Sequence, residues 1–287
     1  RSVSRVHLLL LIYTSGTTGN PKGVELSHGN ILCTLGSYSQ VVPLRPGDRV
    51  LSAFPLAHVA ERTISYYIAI THGYEITFCP DIRRLNEVYL MVRPNYVFLT
   101  PRSLDRFRLA IESSIELEED AERKRRKRDV VILGADIVTR RGAGAPISET
   151  EIAAWNTSAG LRKEMLSVVG MDQVKFSGIG SAPVPKELLT YFAGLGLPGG
   201  EGYGLTEGGA ISVCGRLDEL RPGYIGKPLP GVSIRIADDG EILVHSKAVM
   251  VGYHNQPELT RQAFTEDGWL KTGDIGEISH DGLIRIV

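Results

Sequence analysis

A run of apolar residues leads directly into a loop of glycines and hydroxyl residues near the start of the chain. Residues 7–12 read HLLLLI, which is typical of a buried strand. Residues 13–24 follow as YTSGTTGNPKGV. Glycines let backbone N–H groups turn toward a ligand, hydroxyl groups donate further hydrogen bonds, and Lys22 adds a positive charge. Because a plain hairpin loop does not need so many hydroxyl groups, the stretch predicts a phosphate-binding loop at the end of a rigid strand.

This loop is not the Walker A loop of many nucleotide-binding proteins. Walker A needs the pattern G-x-x-x-x-G-K followed by Ser or Thr. Here Lys22 lies between Pro21 and Gly23, and no helix is predicted to begin at the lysine. The loop is therefore expected to hold phosphate in a different way.

Strand and helix patterns alternate after the loop. Apolar residues recur at helical spacing over 30–42, with Asn30 as the expected N-cap, and a second helix is expected over 61–73, ended by Gly73. A strand that runs into a loop is expected at 50–59, a short strand at 75–80 and a buried strand at 95–100. This alternation predicts an α/β fold with a mostly parallel sheet and flanking helices.

The chain changes in character twice after residue 103. Residues 104–128 read as one polar helix that ends in the basic block ERKRRKR. Because acidic residues directly precede the block, we interpret it as a solvated face of mixed charge and not as a nucleic-acid or lipid site. After residue 218 the segments become short and β-like, with a hairpin around Asp239 and Gly240. We therefore predict an α/β core over 1–218 and a small antiparallel β subdomain over 219–287.

The composition argues against several classes of protein. The net charge of the 287 residues is −1, which provides no overall basic field to recruit nucleic acid or an anionic membrane. No apolar run approaches the roughly 20 residues that a membrane-spanning helix needs. Cys33, Cys79 and Cys214 lie far apart, without a C-x-x-C pair. That usage is typical of a reducing compartment, so we expect buried thiols and a cytoplasmic location.

Four stretches of the chain resemble, in order, the motifs of the adenylate-forming superfamily, which includes acyl-CoA synthetases, firefly luciferases and peptide-synthetase adenylation domains. TSGTTGNPKG (14–23) resembles the signature loop of that family, and GSAP (180–183) resembles its adenine-side turn. GYGLTE (202–207) resembles its aromatic-Thr-Glu motif, and GWLKTGD (268–274) resembles its ribose-binding motif. The resemblance covers nearly the whole chain and implies the large N-terminal domain of the adenylate-forming fold.

The resemblance implies a role for each matched residue. Tyr203 lies between two glycines and is expected to offer an unobstructed ring face to the adenine of ATP. Asp274 is implied to accept the ribose hydroxyls. Thr14 and Glu207 are implied to approach Mg²⁺, since this ion binds one or two carboxylates together with phosphate oxygens. The remaining implied nucleotide-binding residues are Ser15, Gly16, Thr17, Thr18, Gly19, Lys22, Gly180, Ser181, Ala182, Pro183, Gly202, Gly204 and Thr206, of which Lys22 and Thr206, with Glu207, are also candidate catalytic residues.

The stretch LAHVAER (56–62) contains one further candidate catalytic residue, His58. His58 and Glu61 would share one face of a helix, but a metal site needs at least one more ligand nearby and none is evident. The stretch resembles the PLAHVFER-like segment of long-chain acyl-CoA synthetases, in which the histidine lies near the acyl carboxylate. The alternative is a histidine that only packs or forms a structural hydrogen bond.

The implied activity is ATP-dependent activation of a carboxylic acid, by the closest resemblance a long-chain fatty acid, to acyl-AMP and then to acyl-CoA, with coenzyme A as co-substrate. Two alternatives remain open: an adenylation domain that transfers its acyl group to a carrier protein, and a truncated, non-catalytic nucleotide-binding remnant. Against the family pattern, the segment before the signature loop and the C-terminal lid domain, with its lysine, are expected to be missing. A partner chain that supplies missing segments and peripheral membrane association are both compatible with this interpretation.

Overall fold

The computed structural model describes residues 2–14, 20–216, 221 and 223–287. The described residues form the strands β1 Leu8–Thr14, β2 Lys22–Ser27, β3 Arg49–Ser52, β4 Glu75–Phe78, β5 Tyr96–Leu99, β6 Phe176–Ile179, β7 Gly199–Tyr203, β8 Val213–Cys214, β9 Lys227–Pro228, β10 Val232–Ile236, β11 Glu241–Ser246, β12 Gly252–Tyr253, β13 Leu270–Ile278 and β14 Ile284–Ile286. They also form the α-helices α1 His28–Tyr38, α2 Ile68–His72, α3 Leu85–Val92, α4 Pro101–Glu116, α5 Ala121–Gly142, α6 Glu149–Thr157, α7 Ala159–Ser167, α8 Lys186–Gly194 and α9 Pro257–Gln262. A π-helix, Glu61–Tyr67, leads into α2, and 3₁₀ turns cover Ile82–Arg84 and Thr206–Gly208.

The largest sheet has seven strands in the order β4-β3-β5-β6-β7-β8-β9. The strands from β4 to β7 are parallel to one another, whereas β8 and β9 are antiparallel additions at one edge. Helices connect the parallel strands, as parallel pairing requires. The predicted α/β fold with a mostly parallel sheet and flanking helices is confirmed.

The central parallel strands β3, β5 and β6 are buried on both faces. Val50 and Tyr96 belong to a hydrophobic cluster that includes Tyr38 of α1, whereas their neighbours Leu51 and Val97 belong to a second cluster with side chains of α4 and α8. Side chains alternate between the two faces of a strand, so each strand contributes to both clusters. This explains why β5, which reads YVFL, is a continuous apolar run.

Two smaller antiparallel sheets accompany the large one. One has the order β1-β2-β12, and the other has the order β10-β11-β13-β14. The second contains the predicted hairpin around Asp239 and Gly240, because β10 pairs antiparallel with β11, and it confirms the predicted small antiparallel sheet. The division of the chain into 1–218 and 219–287 stays a prediction, and residues 217–220 lie outside the described residues.

The first helix begins earlier than predicted. Its N-cap is Ser27, not Asn30, and it ends at Tyr38 rather than near 42. The Ser27 hydroxyl accepts a hydrogen bond from the Asn30 backbone N–H at 3.2 Å, and the Asn30 side chain accepts one from the Ser27 backbone N–H at 2.8 Å. Asn30 is therefore the third residue of a capping box, a role that a glutamate or glutamine usually fills.

The single polar helix predicted over 104–128 is wrong. The chain forms two helices there, and Asp120 caps the second by accepting hydrogen bonds from the backbone N–H groups of Glu122 and Arg123. The basic block at the start of α5 pairs with acidic residues: Arg123 and Lys127 both lie within ion-pair distance of Glu118. No helix in the described ranges is long and apolar enough to cross a membrane.

Candidate functional site

Two of the predicted motifs, residues 180–183 and residues 202–207, form turns at the carboxyl ends of neighbouring parallel strands, and we call them the motif turns. The 180–183 turn follows β6 and the 202–207 motif spans the end of β7, and the two strands pair directly, with Ile179 opposite Glu201. Ligands of open α/β sheets bind at this edge. Ser181 has φ of 70°, a left-handed conformation that is uncommon for a residue with a side chain and that concentrates at functional sites.

Close backbone contacts explain the glycines of these two turns. A Cβ atom on Gly180 would lie 2.9 Å from the carbonyl oxygen of Gly202. A Cβ atom on Gly204 would lie 2.2 Å from the carbonyl oxygen of Ala210. The two turns therefore pack against neighbouring backbone at distances that only glycine permits.

Tyr203 and Asp274 come from different motifs and meet in the structure. The Tyr203 hydroxyl donates a hydrogen bond to Oδ2 of Asp274 at 2.7 Å, across 71 residues of sequence. Tyr203 is 9% exposed, and burial raises the pKa of its hydroxyl well above the ordinary value, so the group stays a neutral donor. Much of the ring that was expected to be unobstructed is covered by protein, and adenine stacking by Tyr203 stays a prediction.

A second cluster joins the signature loop to the aromatic-Thr-Glu motif. Lys22 begins β2 opposite Thr14 of β1, and its Nζ atom lies 5.3 Å from the centroid of the Tyr253 ring. The Tyr253 hydroxyl donates a hydrogen bond to Oε1 of Glu207 at 2.8 Å. Burial, and then the charge of Glu207, raise the pKa of Tyr253 well above its ordinary value. Lys22 therefore lies opposite Thr14, and Tyr253 lies between the lysine and the Glu207 carboxylate.

Tyr253 was not among the predicted site residues. It lies on β12, which pairs with β2, so that Tyr253 is opposite Val24. This pairing joins segments more than 220 residues apart, as the contact of His254 with Glu25 also shows. The Gly-Tyr pair at 252–253 was the sequence feature that could have pointed to Tyr253, but the local sequence does not predict that this segment pairs with β2.

The described residues assign no contact with the site to part of the signature loop, residues 15–19, or to the side chain of Thr206. Ser15, Gly16, Thr17, Thr18 and Gly19 lie outside the described residues. Thr206 begins the 3₁₀ turn that carries Glu207, and its carbonyl oxygen accepts a hydrogen bond from the Gly209 backbone N–H. The turn is held by a further bond from the Met250 N–H to the Glu207 carbonyl at 2.8 Å.

His58 and Glu61 follow β3, at the same edge of the sheet as the motif turns. The His58 ring is exposed, its Nδ1 accepts a hydrogen bond from the Ala60 backbone N–H at 3.2 Å, and partial desolvation by nearby protein atoms lowers its pKa. Glu61 is instead 1% exposed and accepts a 2.5 Å hydrogen bond from the Ser52 hydroxyl. The two side chains therefore do not share one exposed face, and the catalytic role of His58 stays a prediction.

Glu61 and Glu201 are carboxyl groups with raised pKa near this edge. Burial raises the pKa of Glu61, although the hydroxyls of Ser52 and Ser65 and nearby backbone amides oppose the shift. Burial alone raises the pKa of Glu201 to about 7. In the described part of the chain no group of three or more His, Cys, Asp or Glu side chains is arranged to hold a metal ion by itself.

Comparison with known proteins identifies the family. The family described as AMP-binding enzyme matches residues 1–254. The chain belongs to the AMP-binding enzyme family. The chain is 36% identical over 292 residues to a Mycobacterium tuberculosis protein named, provisionally, fatty-acid–CoA ligase fadD11. The alignment covers all of this chain and 50% of that protein. It is 35% identical over 281 residues to the long-chain-fatty-acid–CoA ligase FadD15 of M. tuberculosis, covering 96% of this chain and 45% of the relative.

Solved structures share the fold. The N-terminal domain of FACL13 from M. tuberculosis matches with a TM-score of 0.69 at 23% identity, over 98% of this chain and 60% of that one. The O-succinylbenzoate coenzyme A synthetase MenE of Bacillus subtilis, in complex with AMP, matches with a TM-score of 0.70 at 22% identity, over 99% of this chain and 50% of that one. The chain spans about half the length of the curated relatives it matches.

Proposed function

We propose that this chain carries the nucleotide-binding core of an ATP-dependent ligase that converts a carboxylic acid, in particular a long-chain fatty acid, to acyl-AMP and then to acyl-CoA. The observation that supports the proposal most directly is the position of Tyr253 between Glu207 and Lys22, which itself lies opposite Thr14 at the start of the glycine loop. It joins a cation, a carboxylate and the start of the glycine loop, which is what a polyphosphate with a divalent cation requires. The names of the relatives favour a fatty acid as the substrate.

The proposed reaction has two displacement steps. An oxygen of the substrate carboxylate attacks the α-phosphorus of ATP, and the bond from that phosphorus to the pyrophosphate oxygen breaks. The thiolate of coenzyme A then attacks the acyl carbonyl, and AMP leaves with the electron pair of the acyl–oxygen bond. Neither step needs a protein nucleophile, so the protein contributes positioning and charge neutralisation.

Each described motif residue has a place in this scheme. Lys22 would neutralise phosphate charge, and the 180–183 turn would lie beside adenine. Asp274 would accept the ribose hydroxyls, and the Tyr203 hydroxyl would hold that carboxylate in place. The exposed ring of His58 would approach the acyl carboxylate.

The residues also fit a bound Mg²⁺ ion. Tyr253 occupies one oxygen of Glu207 and leaves Oε2 available for a cation, with Thr14 as the second expected ligand. One carboxylate is too few for a site formed by protein alone, but it suits an ion that arrives with ATP and keeps phosphate and water ligands. When bound, Mg²⁺ would neutralise charge on the phosphates.

ATP–pyrophosphate exchange with acids of graded chain length tests the proposal. We expect label exchange that depends on a long-chain acid and Mg²⁺, followed by AMP release when coenzyme A is added. Release with a phosphopantetheinyl carrier protein in place of coenzyme A would assign the carrier-dependent alternative. Binding of an acyl-AMP analogue by calorimetry, without exchange with any acid, would assign a non-catalytic nucleotide-binding protein and refute the proposed ligase activity of this chain. A cytoplasmic location, peripheral membrane association and a partner chain stay predictions.

A further inference from the structure

Tyr253 separates two opposite charges that would otherwise attract each other. Lys22 lies over one face of the ring, within the distance of roughly 6 Å at which an aromatic ring attracts a cation. Glu207 is held at the hydroxyl end of the same ring. No ion pair joins Lys22 to Glu207 in the part of the chain that the structure describes.

The backbone around Tyr253 fixes where the ring lies. The Tyr253 N–H donates to the Thr260 hydroxyl at 2.8 Å, and the His254 N–H donates to the Gly23 carbonyl at 2.7 Å. Gly252 pairs with Glu25 on the same edge of β2. With its backbone held on both sides and only two side-chain torsions, the tyrosine is a rigid support for groups that contact it.

Packing alone does not account for this arrangement. A side chain that only filled space would not need a hydroxyl group aimed at a carboxylate oxygen. A hydrogen bond to an ionised acceptor is stronger than one between neutral groups. It also leaves the other carboxylate oxygen of Glu207 free to bind a cation.

We infer that Tyr253 is a positioning residue that holds Glu207 and Lys22 apart, so that the carboxylate stays available to a phosphate-bound cation and the ammonium stays available to phosphate. Without the hydroxyl, Glu207 is free to turn toward Lys22, and an ion pair between them would remove both charges from the ligand. This inference rests on the proposed function, because it assigns these two charges to metal-bound ATP.

The test uses two substitutions that remove different parts of the side chain. Tyr253→Phe removes the hydroxyl and keeps the ring under Lys22, whereas Tyr253→Leu removes both. The matched control is Tyr191→Phe, which removes a buried hydroxyl of α8 that has no hydrogen-bond partner among the described residues. Thermal unfolding of all variants establishes that they fold.

The first readout is binding of α,β-methylene ATP, which cannot undergo adenylation, measured by calorimetry with and without Mg²⁺. We expect Tyr253→Phe to weaken binding about tenfold with Mg²⁺, at the lower end of the contribution of a hydrogen bond to a charged group. It should also weaken binding without Mg²⁺, though less, because an ion pair with Glu207 would withdraw Lys22 from the phosphates. Tyr253→Leu should weaken binding in both conditions, because Lys22 loses its support as well.

The second readout is a double-mutant cycle with Glu207→Gln. If Tyr253 acts through Glu207, the double variant Tyr253→Phe with Glu207→Gln binds the analogue with Mg²⁺ as Glu207→Gln alone does. Additive losses, or a Tyr253→Phe variant that matches wild type with and without Mg²⁺, would overturn the inference while leaving the proposed function intact. A wild-type protein that binds no nucleotide would refute both.

Discussion

Replacing Glu201 with glutamine tests whether an uncompensated carboxyl group destabilises the strand that carries Tyr203. Glu201 lies on β7, two residues before Tyr203, and its side chain is half-buried. No hydrogen bond or ion pair reaches its carboxyl group from the residues that the structure describes. Burial therefore raises the pKa of Glu201 from its ordinary value of 4.5 to about 7.

The sign and the size of the effect follow from that shift. Well below pH 4.5 the carboxyl group of Glu201 is protonated in both the folded and the unfolded chain, so its ionisation does not change the free energy of unfolding. As the pH rises toward 7, the unfolded chain ionises first, so the free energy of unfolding falls. A rise from 4.5 to about 7 corresponds to a loss of roughly 3 kcal/mol, which is complete above pH 7. Because solvent still reaches the half-buried group, this value is an upper limit.

Urea denaturation of wild type and Glu201→Gln from pH 4 to pH 8 measures the effect. Glutamine keeps the size of the side chain and cannot ionise. The free energy of unfolding of Glu201→Gln, relative to that of wild type, should therefore rise by up to about 3 kcal/mol from pH 4 to pH 8. The control is Glu119→Gln, which removes the carboxyl group of an exposed residue between α4 and α5. A stability difference between Glu201→Gln and wild type that is flat from pH 4 to pH 8 would refute the reasoning.

Two further substitutions test other parts of the site. Lys22→Ala should raise the barrier to adenylation by about 2.7–4 kcal/mol, the cost of removing one preorganised donor, while the unfolding temperature stays unchanged; an unchanged exchange rate would contradict the role of Lys22. Gly204→Ala should destabilise the chain by about 1–3 kcal/mol in urea denaturation, because the new methyl group would lie 2.2 Å from the Ala210 carbonyl oxygen. The control is Gly36→Ala in helix α1, where the new methyl group would have no atom within 4 Å, so this substitution should not be destabilising. Equal effects of the two glycine substitutions would argue against a tight turn at Gly204.

The fold was largely predictable because its signals are local. Strands β3 to β6 are short apolar runs between helical patterns, and that alternation alone indicates a parallel sheet. The errors are local too. The helix predicted over 104–128 has charged residues on both sides of its break, so no change in polarity marks the point where Asp120 starts a second helix. Asn30 looked like an N-cap because asparagine prefers that position, but a serine three residues earlier fills it.

Candidate site residues could be proposed from the sequence, whereas their arrangement could not. Tyr203 and Asp274 were each proposed for a separate contact with the nucleotide, and the hydrogen bond between them follows only from the folded chain. Tyr253 was missed altogether because its significance comes from the pairing of β12 with β2. Pairing between distant strands depends on the whole sheet, which local periodicity does not encode.

The two ends of the parallel strands differ in how they satisfy several of their polar groups. At the amino ends, Asp48 accepts a 2.6 Å hydrogen bond from Lys175, and Asn95 bonds to backbone groups on both neighbouring segments. At the carboxyl ends, Oε2 of Glu61 and the hydroxyl of Ser212 are buried without partners among the described residues. Each of these features costs stability, and the same fold pairs comparable groups at the opposite edge. Proteins keep such costs where function requires a fixed geometry. The edge with these unpaired groups is also the one where Tyr253 lies between Lys22 and Glu207, so the cost to the fold and the proposed chemistry occur in the same region.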